Sequence, residues 1–401
     1  MKSIALICPD TLGHHETYLR LFTQTLLDAG YRVVAITPQP EQLTNWVART
    51  CPDRLAQLTA HNLAYTRKYR VPGPLSIFFD KLAWVRFVTG LVKSTGEQPD
   101  LVFHTWLDSC ITPGLTALLT DLIVPFRWSG LYFHPWYLRQ NLRFASIRRG
   151  PLSTEAALHT RRCPAVAVLD EGVADRLQAR LHGKPVIVFP DPADALPPDR
   201  AFPPAIEIRE RAGGHTIIGL VGALAKRKGL LTLLEVAQQS ASEEWFFVFA
   251  GQLMLDSFLP EEQRLIQSWI QAPPPNCYFY TQRLPDESHF NAIIDTCDIL
   301  FAAYHGFLSS SNLLAKAALF EKPVIVSAGY CMGERVEKYG LGVTVAEDDA
   351  AQTGAAIRQL CAQLVRDGGR YTTARFAEYR QVHSIEQLHI AFRQLLAAAN
   401  L

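Results

Sequence analysis

An apolar strand pattern at residues 216–221 runs into Gly222-Ala223-Leu224-Ala225-Lys226-Arg227-Lys228-Gly229, and helical spacing begins at Leu230. A strand, a glycine-bearing turn and a helix in direct succession read as one β–α unit, the building block of a parallel sheet covered by helices. The pattern recurs along the chain. Strands are expected at residues 3–7, 32–36, 100–104, 124–128, 165–169 and 185–189, and again at 216–221, 246–250, 277–281, 299–303, 324–327 and 343–346. Tyr18, Phe22, Leu26 and Ala29 recur at helical spacing after the first strand, and Gly30 ends that helix. From residue 353 onward helix formers dominate, with Leu388, Phe392, Leu395 and Leu396 on one face.

The alternation is interrupted once. Six of the fifteen residues from 190 to 204 are proline, which excludes a helix interior or a central strand. The segment reads as an extended linker between two α/β domains. The predicted organisation is a Rossmann-like first domain over residues 1–190 and a linker over 191–214. A second Rossmann-like domain over 215–375 follows, and a closing helical segment over 376–401 packs back on the first domain. A length of 401 residues accommodates two cores. Two doubly wound sheets facing across a cleft bind ligands beyond the carboxyl ends of their strands.

Composition narrows the function. A net charge of +1 excludes a strong overall attraction to nucleic acid, and no nucleic-acid module or Walker-type phosphate loop is present. The eight cysteines show no metal-type spacing and read as reduced thiols. No apolar run is long enough to span a membrane, and residues 1–8 read as a buried strand rather than a secretory leader, so a cytoplasmic location is expected.

Two turns in the second domain carry anion-binding chemistry. In the first, Gly222 opens a turn that holds Lys226, Arg227 and Lys228. Cations beside free backbone N–H groups at a helix start favour a phosphate. Among these, Lys228 is the strongest candidate for neutralising a diphosphate, with Arg227 next. In the second, His305-Gly306 leads to Ser309, Ser310, Ser311 and Asn312 before another helix. One such residue suffices as a cap, and four exceed that need, which fits a second anion-friendly turn. In the first domain, Gly13, His14 and His15 follow the first strand, on a loop expected to face a substrate. Adjacent histidines on a loop point apart, so no metal is expected there. His104 closes a strand, and His134 follows Gly130-Leu131-Tyr132-Phe133. Glu334 is read as a first-turn acid complementing a helix dipole.

The order of strands, the proline-rich linker, the Lys228-Gly229 turn and the Lys322-Pro323-Val324-Ile325-Val326 strand entry resemble glycosyltransferases of the GT-B fold, family 4 in particular. The resemblance implies transfer of a sugar from a nucleoside diphosphate sugar to a glycan, lipid-linked or small-molecule acceptor, with retention and without a bound metal. It makes His134 a catalytic candidate lying against the donor sugar. Gly222, Arg227, Lys228, His305, Gly306, Ser309, Ser310, Ser311, Asn312 and Glu334 become donor-side candidates, and Gly13, His14 and His104 acceptor-side ones. The pattern departs from the family in places. Its turn arginine is replaced by Ala223, and its two donor-site glutamates fall on Leu308 and Lys316. Glu334 is then a candidate substitute for the ribose-binding carboxylate. These departures keep a second reading open, a GT-B-fold binding protein without catalysis. An epimerase of the same fold ranks lower, for want of convergent acids and histidines.

Residues 126–162 contain Arg127, Arg139, Arg143, Arg148, Arg149, Arg161 and Arg162 among aromatic side chains, with Glu155 as the acid. Residues 67–93 repeat the theme. One reading is peripheral contact with an anionic membrane at its cytoplasmic face. Another is an anionic acceptor, and the plain alternative is an aromatic core with solvated arginines.

Overall fold

The structure, a computed structural model, describes residues 1–10, 14–65, 75–139, 150 and 153–401. The chain forms two compact units, Met1–Pro190 together with Ile385–Leu401, and Asp191–Ser384.

The first unit is built on a parallel sheet of β1 (Ser3–Ile7), β2 (Arg32–Thr37), β3 (Leu58–Asn62), β4 (Leu101–His104), β5 (Trp128–Tyr132), β6 (Val166–Val168) and β7 (Val186–Val188), in the order β3-β2-β1-β4-β5-β6-β7. Successive side chains of a strand point to opposite faces, and here both faces are apolar. Ile4 and Leu6 pack on one side of β1, and Ala5 and Ile7 on the other, in separate cores. Such double burial is what helices on both faces of a parallel sheet require. The helix α1 (His14–Asp28) covers one face. The chain's last helix, Ile385–Ala398, packs beside it and joins Phe392 to Phe22, Phe103 and Phe189 in one aromatic core.

The structure differs from the sequence reading at two strands here, and it places part of the arginine-rich stretch. The fifth strand lies at Trp128–Tyr132, not at 124–128, because Pro125 has no N–H for a ladder and Gly130 and Ser129 dilute the apolar signal. β3 has no counterpart in the sequence reading; its Thr59, His61 and Asn62 suit a half-buried edge. The arginine-rich stretch is also largely engaged where it is described. Arg139 forms a buried pair with Asp170 at 2.5 Å, Arg127 donates to the Ala399 carbonyl, and Arg162 donates to the carbonyls of Asp121 and Val124. Arg67, Arg143, Arg148, Arg149 and Gly13 lie outside the described residues.

The second unit repeats the plan with β8 (Thr216–Val221), β9 (Trp245–Ala250), β10 (Cys277–Tyr280), β11 (Ile299–Ala302), β12 (Val324–Ser327) and β13 (Gly342–Val345), ordered β10-β9-β8-β11-β12-β13 and all parallel. The segment expected as an extended linker contains a helix at Pro203–Ala212, with proline at its start, where the missing N–H costs nothing. It belongs to the second unit. Residues 376–384 also belong there, as the helix Phe376–Val382, so only the last seventeen residues return to the first unit. In each sheet the strand order reverses at one place, between β1 and β4 and between β8 and β11. Open α/β sheets bind ligands beyond the carboxyl ends of the strands at that reversal. Among the described residues no helix is long and apolar enough to cross a membrane.

Phe392 is 2% exposed, and Phe392→Ala is expected to cost about 3–5 kcal/mol. Urea denaturation followed by circular dichroism measures this. A loss below about 1 kcal/mol would contradict the placement of the last helix in the first core.

Candidate functional site

In the second unit the turns that follow β8 and β11 meet at the reversal. Gly222 takes φ +114° after β8, and the chain then makes a short 3₁₀ turn at Lys226–Lys228 before α7, the helix Leu230–Gln239. Gly229 joins turn to helix at φ +74°, and a Cβ there would stand 2.6 Å from the carbonyl oxygen of Ala303. The basic turn therefore sits directly against the end of β11. The backbone N–H of His305 donates to the Arg227 carbonyl at 2.8 Å, tying the two turns together.

The three cations of the turn have different surroundings. Lys226 is withdrawn, with its Nζ 2.6 Å from Glu262. Arg227 is exposed, and its guanidinium lies 5.6 Å from the centre of the Phe307 ring. Lys228 sets its ammonium 3.6 Å from the centre of the Tyr304 ring and 5.7 Å from that of Phe307. Among the described residues it forms no hydrogen bond or ion pair. Desolvation, and then the charge of Arg227, hold it well below the ordinary lysine value. Burial likewise pushes the Tyr304 hydroxyl up to about 12, partly offset by a hydrogen bond with Ser311. The ring face satisfies the ammonium only in part. An anion at this point would supply the missing charge.

The polar run after β11 serves the chain itself to a greater extent than its sequence suggests. Ser310 Oγ donates to Asp191 at 2.5 Å and accepts from Arg335 at 2.6 Å. The Asn312 side chain does not cap the helix Leu313–Leu319; its Nδ2 donates to the Pro192 carbonyl at 2.8 Å. Ser311 bonds Tyr304, and Ser309 is buried. Lys316, at a position where the resembled family has a glutamate, is 2% exposed and donates to Glu287, Asn291 and the Asp194 carbonyl. Gly306, at φ +58°, has open space where a side chain would stand. His305 is exposed and pairs with Asp348 at 2.7 Å. Glu334 is exposed in the second turn of the helix Tyr330–Tyr339, not in its first. A first-turn dipole role therefore does not describe it.

In the first unit the loops after β4 and β5 converge. Asp108 accepts from the backbone N–H groups of Phe133 and His134, at 2.9 and 3.0 Å, and lies 3.1 Å from His134 Nδ1. Trp106 stacks on Phe133 with ring centres 3.8 Å apart, and it also meets His15 at 4.2 Å and His134 at 5.2 Å. The His134 ring stands 4.7 Å from that of Trp136, which is 49% exposed. His104 differs from His134. It is buried, shares a hydrogen bond with Cys110 at 3.2 Å, and desolvation lowers it to about 4, so it is a neutral core residue rather than an acceptor contact. His14 begins α1.

The sequence reading missed Asp108, Trp136, Tyr304 and Phe307. The acid two residues after Trp106, in the loop beyond an apolar strand, was the available signal for Asp108. The aromatic residues flanking His305-Gly306 were the signal for Tyr304 and Phe307.

Residues 215–363 match the family model of glycosyl transferases group 1. No curated protein matches the sequence. Among solved structures, sucrose-phosphate synthase from Thermosynechococcus elongatus is similar, with 18% identity, TM-score 0.68, and coverage of 99% of this chain and 100% of that one. Anabaena HepE in complex with UDP-glucose is 12% identical, with TM-score 0.68 and the same coverage. A glycosyltransferase from Rickettsia africae is 15% identical, with TM-score 0.64, covering 100% of this chain and 98% of its own. The chain has the GT-B fold, and its residues 215–363 are similar to glycosyl transferases group 1.

A lysine with a depressed pKa titrates apart from its fellows. In an NMR titration of lysine Cε resonances, one signal is expected to shift well below the ordinary range and to vanish in Lys228→Arg. Titration of Lys228 together with the surface lysines would contradict the desolvated site.

Proposed function

We propose that the protein transfers a sugar from a nucleoside diphosphate sugar to a hydroxyl-bearing acceptor, with the diphosphate held by Lys228 and Arg227. The observation that carries this reading is the Lys228 ammonium, desolvated beside aromatic rings, without a carboxylate partner among the described residues, at the strand-order reversal of a group 1 glycosyltransferase region. When the sugar leaves, charge accumulates on the diphosphate. A preorganised cation in a water-poor setting stabilises that charge better than solvent does. Arg227 adds a second cation from the same turn. Together they perform the neutralisation that a divalent metal provides elsewhere, which supports a metal-independent transfer. Gly222 and Gly306 leave room for the donor to approach the backbone.

The donor is proposed to be UDP-linked, because the similar HepE structure holds UDP-glucose. Retention of configuration and a hexosyl group follow the resemblance to family 4. The ribose contact falls to backbone groups of the 305–312 loop, to Ser309 or to Glu334, since Lys316 is fully occupied. That occupation is also what favours the second reading, a binding protein that holds a nucleotide sugar without transferring it.

Titration calorimetry with UDP and UDP-glucose tests the site. Lys228→Ala is expected to weaken UDP binding by roughly 10–100-fold, the range for losing a hydrogen bond to a charged group. Affinity is expected to fall as pH rises through the depressed pKa of Lys228. The ammonium is charged below its depressed pKa and neutral above it, so alkali removes the attraction. No binding of any nucleotide sugar, or equal binding by the variant, would overturn the proposal. Slow release of UDP from bound UDP-glucose separates the enzyme from the binding protein.

A further inference from the structure

In the first unit a cavity of about 510 Å³ opens where Ser153, Glu155, His159, Arg180 and His182 meet. We propose that it binds a small dianionic oxyanion of the phosphate class, held by the imidazoles of His159 and His182. Nothing in it depends on the second unit. His159 ends the 3₁₀ turn Ala156–His159, which leads towards β6, and His182 follows the helix Glu171–Arg180, which leads towards β7. The cavity therefore lies at the amino ends of those two strands. Open α/β sheets bind their substrates beyond the carboxyl ends, so the ligand here is an effector rather than a reactant.

The two imidazoles stand with ring centres 5.1 Å apart, tilted by 45°. Two cations flank them. Lys184 donates from Nζ to the Leu158 carbonyl and, at 2.8 Å, to that of Thr160, and so holds the backbone on both sides of His159. Arg180 donates from Nε to Glu155 at 2.6 Å. Desolvation, and then the charges of His182, Lys184 and Arg180, hold His159 below its ordinary value, with Glu155 opposing them in part. Desolvation lowers Lys184 as well, against the pull of Cys163 and of Asp121, which already accepts from Thr160. Two cations against the one carboxylate that acts on His159 make its surroundings net positive. An oxyanion in the cavity would reverse that repulsion, and each imidazole, once charged, donates from both of its nitrogens. A divalent cation fits poorly. It would meet the same positive charge, Glu155 is 2% exposed and already accepts from Arg180 and Tyr137, and among the described residues no third ligand atom gathers with the two histidines. The volume falls within the range of small-molecule sites, which leaves room for the organic part of a phosphate monoester.

The probe is sulfate, whose charge stays constant over the range in which histidine titrates. The imidazole resonances are followed by NMR on the full chain, with chloride at equal ionic strength as the control. Sulfate is expected to raise the pKa of His159 by about one pH unit, which makes its binding about tenfold tighter as pH falls through that pKa. The sign follows from charge, because the imidazolium attracts the anion and the neutral ring does not. His182 takes φ +55°, a region that asparagine tolerates, so His182→Asn removes the ring without straining the backbone. It is expected to reduce the response of His159 to sulfate, and His159→Gln to flatten the pH dependence of sulfate binding. An equal shift in chloride, or none in sulfate, would overturn the site. Binding of Zn²⁺ by the same two imidazoles without a response to sulfate would make the pair a metal site and overturn it as well.

Discussion

A positively charged side chain set against aromatic rings without a counter-ion is costly, and among the described residues the second unit is arranged around one. The Lys228 ammonium lies over Tyr304, and the charge of Arg227 acts on it. Several features converge on that placement. Gly229 lets the basic turn press against the end of β11, where any side chain would strike the Ala303 carbonyl. The His305 N–H closes the gap to Arg227. Glu262 withdraws Lys226, so the turn offers its ligand two cations rather than three. The arrangement lacks an anion to match its charge, which is the basis for the diphosphate proposed there.

A second set of interactions secures the ground on which that site stands. The segment 191–196 forms no strand or helix of its own, so its carbonyls need partners from elsewhere. Asn312, Lys316 and Asn291 donate to the carbonyls of Pro192, Asp194 and Leu196, and Ser310 engages the Asp191 carboxylate. The segment is therefore bolted to its own unit rather than hanging as a flexible tether. Lys316 makes the chemistry plain. Buried and shared among Glu287, Asn291 and a carbonyl, it does a structural task at a position where the resembled family places a substrate-binding acid.

The double α/β plan was legible because both faces of each sheet are buried, which leaves unbroken apolar runs such as those of β1, β8 and β9 in the sequence. Legibility failed where a strand was not of that kind. β3 is a half-buried edge rich in polar residues, and β5 carries Ser129 and Gly130, the glycine because a Cβ would meet the His104 carbonyl at 2.6 Å. In the candidate sites, residue type was readable and partner was not. Lys228 and Arg227 announced themselves by charge beside a glycine turn. The sequence placed Ser310 and Asn312 at a helix start, but their bonds to a segment more than a hundred residues earlier depend on tertiary contacts that no local spacing encodes. The same holds for His104 and His134. Both follow strands, and only burial on one side and Asp108 on the other distinguish a neutral core ring from an oriented one.

The central claim, that an anion completes the Lys228 site, has a direct signature in proton balance. Calorimetric titration of UDP above the depressed pKa of Lys228, repeated in two buffers of different ionisation enthalpy, measures protons taken up on binding. If the diphosphate pairs with Lys228, it raises the depressed pKa of that ammonium, and net uptake of protons is expected in the wild type but not in Lys228→Arg. Tight UDP binding with no proton uptake, or equal uptake in the variant, would contradict the account.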